Sequence, residues 1–218
     1  MKRILVVGGG TYQVPLIKRI RALGYEAYCV DRNENAPGFK DAHGYRCVDI
    51  LDEKECLAYA QALNIDGVAT YGATITLPTV SYIGENLGLP ALPMNTARIA
   101  CNKYRIKKAL VDGGCNSKGK LIVFHNEKET LNDKPEFPCV IKPSDGSGSK
   151  GVSIVKEGQQ YESAVREGFA SARFGEIYSE QYIEGDEYSV EAFVHNGKVS
   201  WIGPQLRMKL TRPRLRRL

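Results

Sequence analysis

The sequence predicts an α/β protein, in which an open parallel sheet with helices on both faces precedes an α+β region with antiparallel strands. Three observations carry this. Short apolar runs alternate with helical patterns, across short connections, over roughly the first ninety residues. Pro90 and Pro93 then interrupt the alternation. Past Gly113-Gly114 the texture becomes strand after strand, with one helical pattern among them.

Taken in order, Arg3 to Val7 reads as a buried strand, and Val14, Ile17, Ile20 and Leu23 fall at helical spacing with Gly24 as a stop. Pro15 is tolerated in a first turn, where the N–H has no intrahelical partner. Glu26 to Val30 is a second strand ended by Asp31, and Tyr45 to Val48 a third. Glu53 to Leu63 is a helix with a small-residue face, Asp66 to Thr70 a fourth strand, and Leu77, Val80, Ile83 and Leu87 mark another helix. Asn95 to Cys101 and Lys103 to Asp112 are predicted helices; Asn102 is placed to cap the second and Gly113-Gly114 to stop it. Six strands follow: Lys120 to Phe124, Cys139 to Lys142, Val152 to Val155, Ile177 to Glu180, Glu187 to Val194 and Val199 to Ile202. The helix among them presents Tyr161, Ala164, Val165, Phe169 and Ala172 inward. Asn196-Gly197 between the last two runs is a hairpin signal. The domains expected are 1–94, 95–203 and a basic tail, 204–218.

At 218 residues, 43% hydrophobic and 25% charged, the chain can bury a real core and is not compositionally disordered. No run approaches the length of a membrane span, and the first apolar run ends at Gly8, too soon for a signal peptide. A cytoplasmic location is expected. The net charge of +5 is concentrated in the last twelve residues, where Arg207, Lys209, Arg212, Arg214, Arg216 and Arg217 meet no acid. The rest carries 24 basic against 25 acidic residues, and no nucleic-acid motif accompanies the tail. Cys29, Cys47, Cys56, Cys101, Cys115 and Cys139 include no C-x-x-C pair, so reduced, buried thiols are expected rather than a zinc site. His43, His125 and His195 are scattered and read as surface or structural residues.

Two glycine-rich loops stand out. In the first, Gly8-Gly9-Gly10-Thr11 joins a strand to a helix and Asp31 ends the next strand, as in a dinucleotide site. The G-x-G-x-x-G pattern fails at Gln13, however, which favours a tight strand-to-helix turn over an NAD(P) site. The second, Ser144 to Gly151, does complete the pattern through Gly146, Gly148 and Gly151. The β-like Val152 to Val155 follows it instead of a helix. Strand, glycine loop, strand is the plan of a flap over phosphates, whose exposed N–H groups cradle oxygens. Lys150 in the loop and Lys142 before it supply cations. Further on, Glu180 to Glu191 packs five acids around a glycine turn, Gly185, without a base. Such a window suits hydroxyl or metal partners, or a charge-protected edge strand.

Cys139-Val140-Ile141-Lys142-Pro143, the Gly146–Gly151 loop and Glu180-Gln181-Tyr182-Ile183-Glu184-Gly185 occur in that order, after Asn102-Lys103 opening a helix. Together they resemble the ATP-grasp superfamily, in its carbamoyl-phosphate-synthase-like and biotin-carboxylase-like forms. The first domain resembles the pre-ATP-grasp domain. The resemblance implies ATP held between two lobes under the glycine flap, and a carboxylate activated as an acylphosphate for attack by an amine or similar nucleophile. It implies that Lys103 contacts the α-phosphate side and Lys142 the phosphates and adenine. Ser147, Gly148, Ser149, Lys150 and Gly151 would cover the phosphates. Glu180, Gln181 and Ile183 would meet adenine, and Glu187 the ribose. No catalytic residue is assigned. Gly9, Gly10, Thr11, Gln13 and Thr74, at the C-terminal edge of the first sheet, could hold the carboxylate substrate or pack against the lobe behind them, with equal weight.

The family also uses Mg²⁺, whose ligands lie beyond the ribose acid in a segment with no counterpart here. The second lobe is therefore expected to be incomplete. From Pro204 the sequence turns abruptly basic, as after a reading-frame change or in a truncated gene. The expectation is the front part of a longer enzyme, weak or inactive alone. Alternatives are a non-catalytic nucleotide-binding module, or a subunit completed by another chain; an NAD(P)-binding protein ranks below both. The expected partners are a small-molecule carboxylate and a second copy or complementing chain, with no nucleic acid and no membrane.

Overall fold

The computed structural model describes residues 1–115, 120–146, 148–195 and 197–206. Ser147, Asn196 and the basic tail from Arg207 lie outside the described residues. Chain contacts divide the molecule into two units, Met1–Ile106 and Lys107–Leu218.

The first unit contains β1 (Arg3–Val7), α1 (Val14–Ala22), β2 (Glu26–Asp31), β3 (Gly44–Cys47), α2 (Glu53–Leu63), β4 (Gly67–Ala69), α3 (Leu77–Leu87) and α4 (Met94–Ala100). Its four strands are parallel in the order β3-β2-β1-β4. Successive side chains on a strand point to opposite faces, and both faces are apolar. Leu5, Val7 and Val30 pack with Cys56, Ala60, Val80 and Ile83 of α2 and α3. Val6, Ala27 and Cys29 pack with Ile17 and Ile20 of α1. Each such fully buried aliphatic side chain contributes about 1.5–3 kcal/mol. Helix ends follow local chemistry. The Asp52 carboxylate accepts from Glu55 N at 3.0 Å to start α2, and Asn64 ends it at φ +49°.

The helix α5 (Lys103–Asp112) crosses the division between the units. Asn102 Oδ1 accepts from Arg105 N at 2.8 Å, and the chain leaves through Gly114 at φ +78°.

The second unit continues with β5 (Ile122–Phe124), α6 (Glu129–Asn132), β6 (Cys139–Pro143), β7 (Ser153–Val155), α7 (Tyr161–Ser171), β8 (Ile177–Gln181), β9 (Tyr188–His195) and β10 (Lys198–Leu206). Strands β5-β8-β6-β7 form an antiparallel sheet, and β9 and β10 a separate two-stranded one. One face of the larger sheet carries Phe124, Cys139, Ile141, Val155 and Ile177, packed on Tyr161, Ala164 and Val165 of α7. Gly168 lets the helix come close, since a Cβ there would stand 3.3 Å from Ile177 Cγ2. The α6 turn lacks a periodic apolar signal in the sequence. It forms because Asn126 Oδ1 accepts from Glu129 N, while the Glu129 carboxylate binds the Asn126 amide and His125 N.

All six cysteines are free thiols. Cys29, Cys56 and Cys139 are buried as expected, whereas Cys47 and Cys115 are exposed, which corrects a uniform buried reading. Burial pushes the Cys29 and Cys56 thiols up to about 12 and Cys139 to about 11. Among the described residues no helix is long and apolar enough to cross a membrane.

Candidate functional site

In the first unit the Gly8–Gly10 loop is closed on itself. Gly9 N donates to Asp31 Oδ2 at 2.7 Å, and Gly9 O accepts from Gly38 N at 2.7 Å. The other Asp31 oxygen accepts from Asn33 N at 2.9 Å. A Cβ on Gly9 would stand 3.0 Å from both Ala36 Cβ and Cys29 Sγ. A side chain at this position would press on its neighbours, and the acid that could bind a ribose is occupied by backbone. Gln13 is buried, and its amide donates to Tyr71 O. That bond ties the loop after β1 to the loop after β4. Thr74 O accepts from the Cys101 thiol, and Thr76 Oγ1 bonds Thr70 Oγ1 and Ala73 O. Gly10 is half-buried; Thr11 and Tyr12 remain on the exposed rim of this edge.

In the second unit the glycine loop is open. Strands β6 and β7 pair as Cys139↔Val155, Val140↔Ile154 and Ile141↔Ser153, so the described residues 144–146 and 148–152 belong to the tip of a hairpin. Asp145 anchors its base by accepting from Arg173 N and Phe174 N at 3.1 and 2.8 Å. Gly151, at φ +66°, lies against α7, where a Cβ would stand 2.5 Å from Ser171 Cβ. Between these anchors Gly148, Ser149 and Lys150 are exposed, with Gly148 at φ +65° and Ser149 at φ +59°. Nothing lies within 4 Å of a Cβ built on Gly148. The backbone there can approach a ligand closely.

Beside this hairpin, the face of the sheet opposite α7 carries the charged groups. The register Val140↔Glu180 and Lys142↔Tyr178 sets four side chains on one face as two neighbouring rows. Lys142 donates to Glu180 Oε1, and its ammonium stands 5.1 Å from the centre of the Tyr178 ring. Lys107 Nζ lies 3.7 Å from Glu180 Oε2. The Lys142, Lys107 and Glu180 side chains are 21%, 29% and 19% exposed. Two ammonium groups share one carboxylate, so the trio carries one positive charge in excess. Burial and the Glu180 charge push the Tyr178 phenol well above its ordinary range, so it stays neutral.

The structure therefore brings together Lys142 and Glu180, with the Gly148–Gly151 tip following the Lys142 strand. Gln181, Ile183 and Glu187 lie on the exposed run from the end of β8 toward β9. Tyr182 N fixes the start of that run on Pro138 O at 3.1 Å. Lys103 is the first residue of α5. Sequence reasoning missed Lys107 and Tyr178. The signals were present: Lys107 is one helical turn beyond Lys103, and Tyr178 precedes Glu180 by two on a strand. Among the described residues no group of three or more His, Cys, Asp or Glu side chains could hold a metal ion.

Over 212 residues the chain is 26% identical to the formate-dependent phosphoribosylglycinamide formyltransferase of Rhodococcus jostii, covering 90% of this chain and 51% of that protein. It thus spans about half the length of the curated relatives it matches. A crystal structure of phosphoribosylglycinamide synthetase from Anaerococcus prevotii superposes with a TM-score of 0.68 at 25% identity, over 96% of this chain and 53% of that one. N5-carboxyaminoimidazole synthetase from Staphylococcus aureus, crystallised with ADP, shares the fold with a TM-score of 0.78 at 18% identity, over 98% and 56% of the two chains. Residues 135–203, which hold Lys142, the glycine hairpin and Glu180, match the family described as ATP-grasp domain.

Proposed function

We propose that the face of the β5-β8-β6-β7 sheet opposite α7 binds ATP. The polyphosphate would lie at Lys142 under the Gly148–Gly151 tip, and the base along Glu180, Gln181 and Ile183. The observation that carries this reading is the Lys142–Glu180–Lys107 trio: a half-buried cluster with one cation in excess beside a hairpin whose glycines expose backbone. Phosphoryl transfer asks for positioning and charge neutralisation more than covalent chemistry, and ammonium groups and backbone N–H donors provide both.

The reaction we assign to the whole enzyme is ATP-dependent ligation. A substrate carboxylate oxygen forms a bond to the γ-phosphorus as the bond to ADP breaks. An amine or similar nucleophile then attacks the acyl carbon, and inorganic phosphate leaves. Lys103 and Glu187 are assigned to the α-phosphate side and the ribose. Of the residues at the edge of the first sheet, Gly10, Thr11 and Thr74 are left for a carboxylate substrate, whereas Gly9 and Gln13 are taken up by internal bonds. No residue of this chain is assigned to the Mg²⁺ that the family uses. This chain by itself is then expected to bind nucleotide and turn it over weakly or not at all.

A second reading, nucleotide binding in a subunit completed by another polypeptide, is favoured by the β9–β10 hairpin. There Tyr188, Val190, Val194, Val199 and Ile202 are all more than half exposed. Calorimetric titration with ATP, with and without Mg²⁺, tests the first reading. Saturable binding lost in Lys142→Met supports it, and absence of binding by folded protein removes it. Restored ATP hydrolysis on adding the C-terminal half of a relative would support the second.

A further inference from the structure

Lys107 sits one turn beyond Lys103 on α5, so both ammonium groups leave the same side of the helix. It is the second cation on Glu180: one carboxylate oxygen accepts from Lys142, and the other faces Lys107 Nζ at 3.7 Å. This is unlike the ordinary surface pair on the same helix, Lys108 with Asp112, whose side chains are 56% and 61% exposed. Such an exposed pair is screened and contributes little. Lys107 and Glu180 are 29% and 19% exposed, so losing a partner there leaves a charge short of both water and counter-ion.

We propose that Lys107 is a positioning residue of the nucleotide site, which holds Glu180 when Lys142 turns to the ligand's phosphates. This rests on the ATP-binding reading of the same sheet face. Without nucleotide, Lys142 is engaged by Glu180. An arriving polyphosphate competes for its N–H donors, and a carboxylate with no second cation would be left partly desolvated and unpaired. Lys107 offsets that cost and keeps Glu180 in place. The carboxylate, an acceptor only, then presents its remaining lone pairs to an N–H donor of the ligand. Lys107 acts through Glu180 and need not touch the ligand.

The test is ATP titration of the full chain carrying Lys107→Met, Lys107→Arg, Glu180→Gln and the Lys107→Met/Glu180→Gln pair, each shown folded by thermal melting. Lys107→Met should bind ATP about tenfold more weakly, the loss of one charge-assisted contact. Lys107→Arg should restore affinity to within about threefold, because a cation of similar reach returns. In the Glu180→Gln background, Lys107→Met should add less than about twofold, because both changes remove one interaction. Affinity indifferent to Lys107→Met overturns the inference. So do losses that add independently, since Lys107 would then act on the phosphates directly. Failure of the unaltered chain to bind ATP would instead remove the nucleotide reading and this inference with it; binding indifferent to Lys107 removes the inference alone.

Discussion

The two glycine loops use the same residue for opposite ends. At Gly9 glycine suits a crowded site: Ala36 and Cys29 stand against its α-carbon, and Asp31 and Gly38 take up both of its backbone polar groups, while Gly8 before it turns at φ +97°. At Gly148 glycine is needed because the backbone turns through positive φ in open space, with its surface left to solvent. Gly151 combines the two, at positive φ and against Ser171. A glycine-rich loop in a sequence therefore announces either close packing or an accessible backbone, and its hydrogen-bond accounting decides which.

The largest effect that would sharpen this comparison is expected at Gly151. A valine there meets both strain at φ +66° and a collision with α7, and should cost about 3 kcal/mol or more in urea unfolding. A cost below that of Gly148→Ala would show that the loop is not anchored there. Next is Asp31→Ala, which leaves the buried Gly9 N–H without its acceptor. About 2 kcal/mol of stability should be lost by the same measurement, with ATP affinity unchanged. Saturable NAD⁺ binding by the unaltered chain would break the closed-loop reading altogether. Gly148→Ala should cost only about 1 kcal/mol, for the φ alone, yet weaken ATP binding by calorimetry because the added methyl stands over the exposed backbone.

A further contrast concerns the thiols. Cys47 and Cys115 should react with a thiol reagent in the native state, and Cys29, Cys56 and Cys139 only on unfolding. Because burial raises the native thiols of Cys29 and Cys56 from 9 to about 12, their stabilising preference for the protonated form is complete below pH 9. It is lost as pH rises from 9 toward 12, so the first unit should melt at lower temperature across that window. A flat alkaline profile there would contradict the burial of these side chains.

Much of the architecture was legible. Helices α2 and α5 were bounded from sequence at both ends, α5 with its cap Asn102 and stop Gly113-Gly114 named and α2 without the cap Asp52 and stop Asn64 that the structure adds. The strand β6 and the hairpin after it followed from apolar runs flanking glycines. Strand β10 continues to Leu206, past the Gly203 where the sequence texture changes. What was not legible was the state of the polar groups. Asp31 stood in the sequence where a ribose acid could sit, and only the structure shows that it is held by two backbone amides; Lys107 had no assigned purpose.

The sequence by itself determined the order of elements apart from α6, the ends of the longer helices, both glycine loops and the residue types available for phosphate and base. Periodicity, capping and turn chemistry act over a few residues, and a chain reads them out locally. Only the tertiary structure decided which charges meet. The partner of Lys142 is set by a strand register that pairs Val140 with Glu180, forty residues on, and the second cation comes from a helix more than seventy residues before that acid. Whether a glycine loop is filled or open likewise depends on which distant atoms the fold brings against it, and no local pattern encodes that distance.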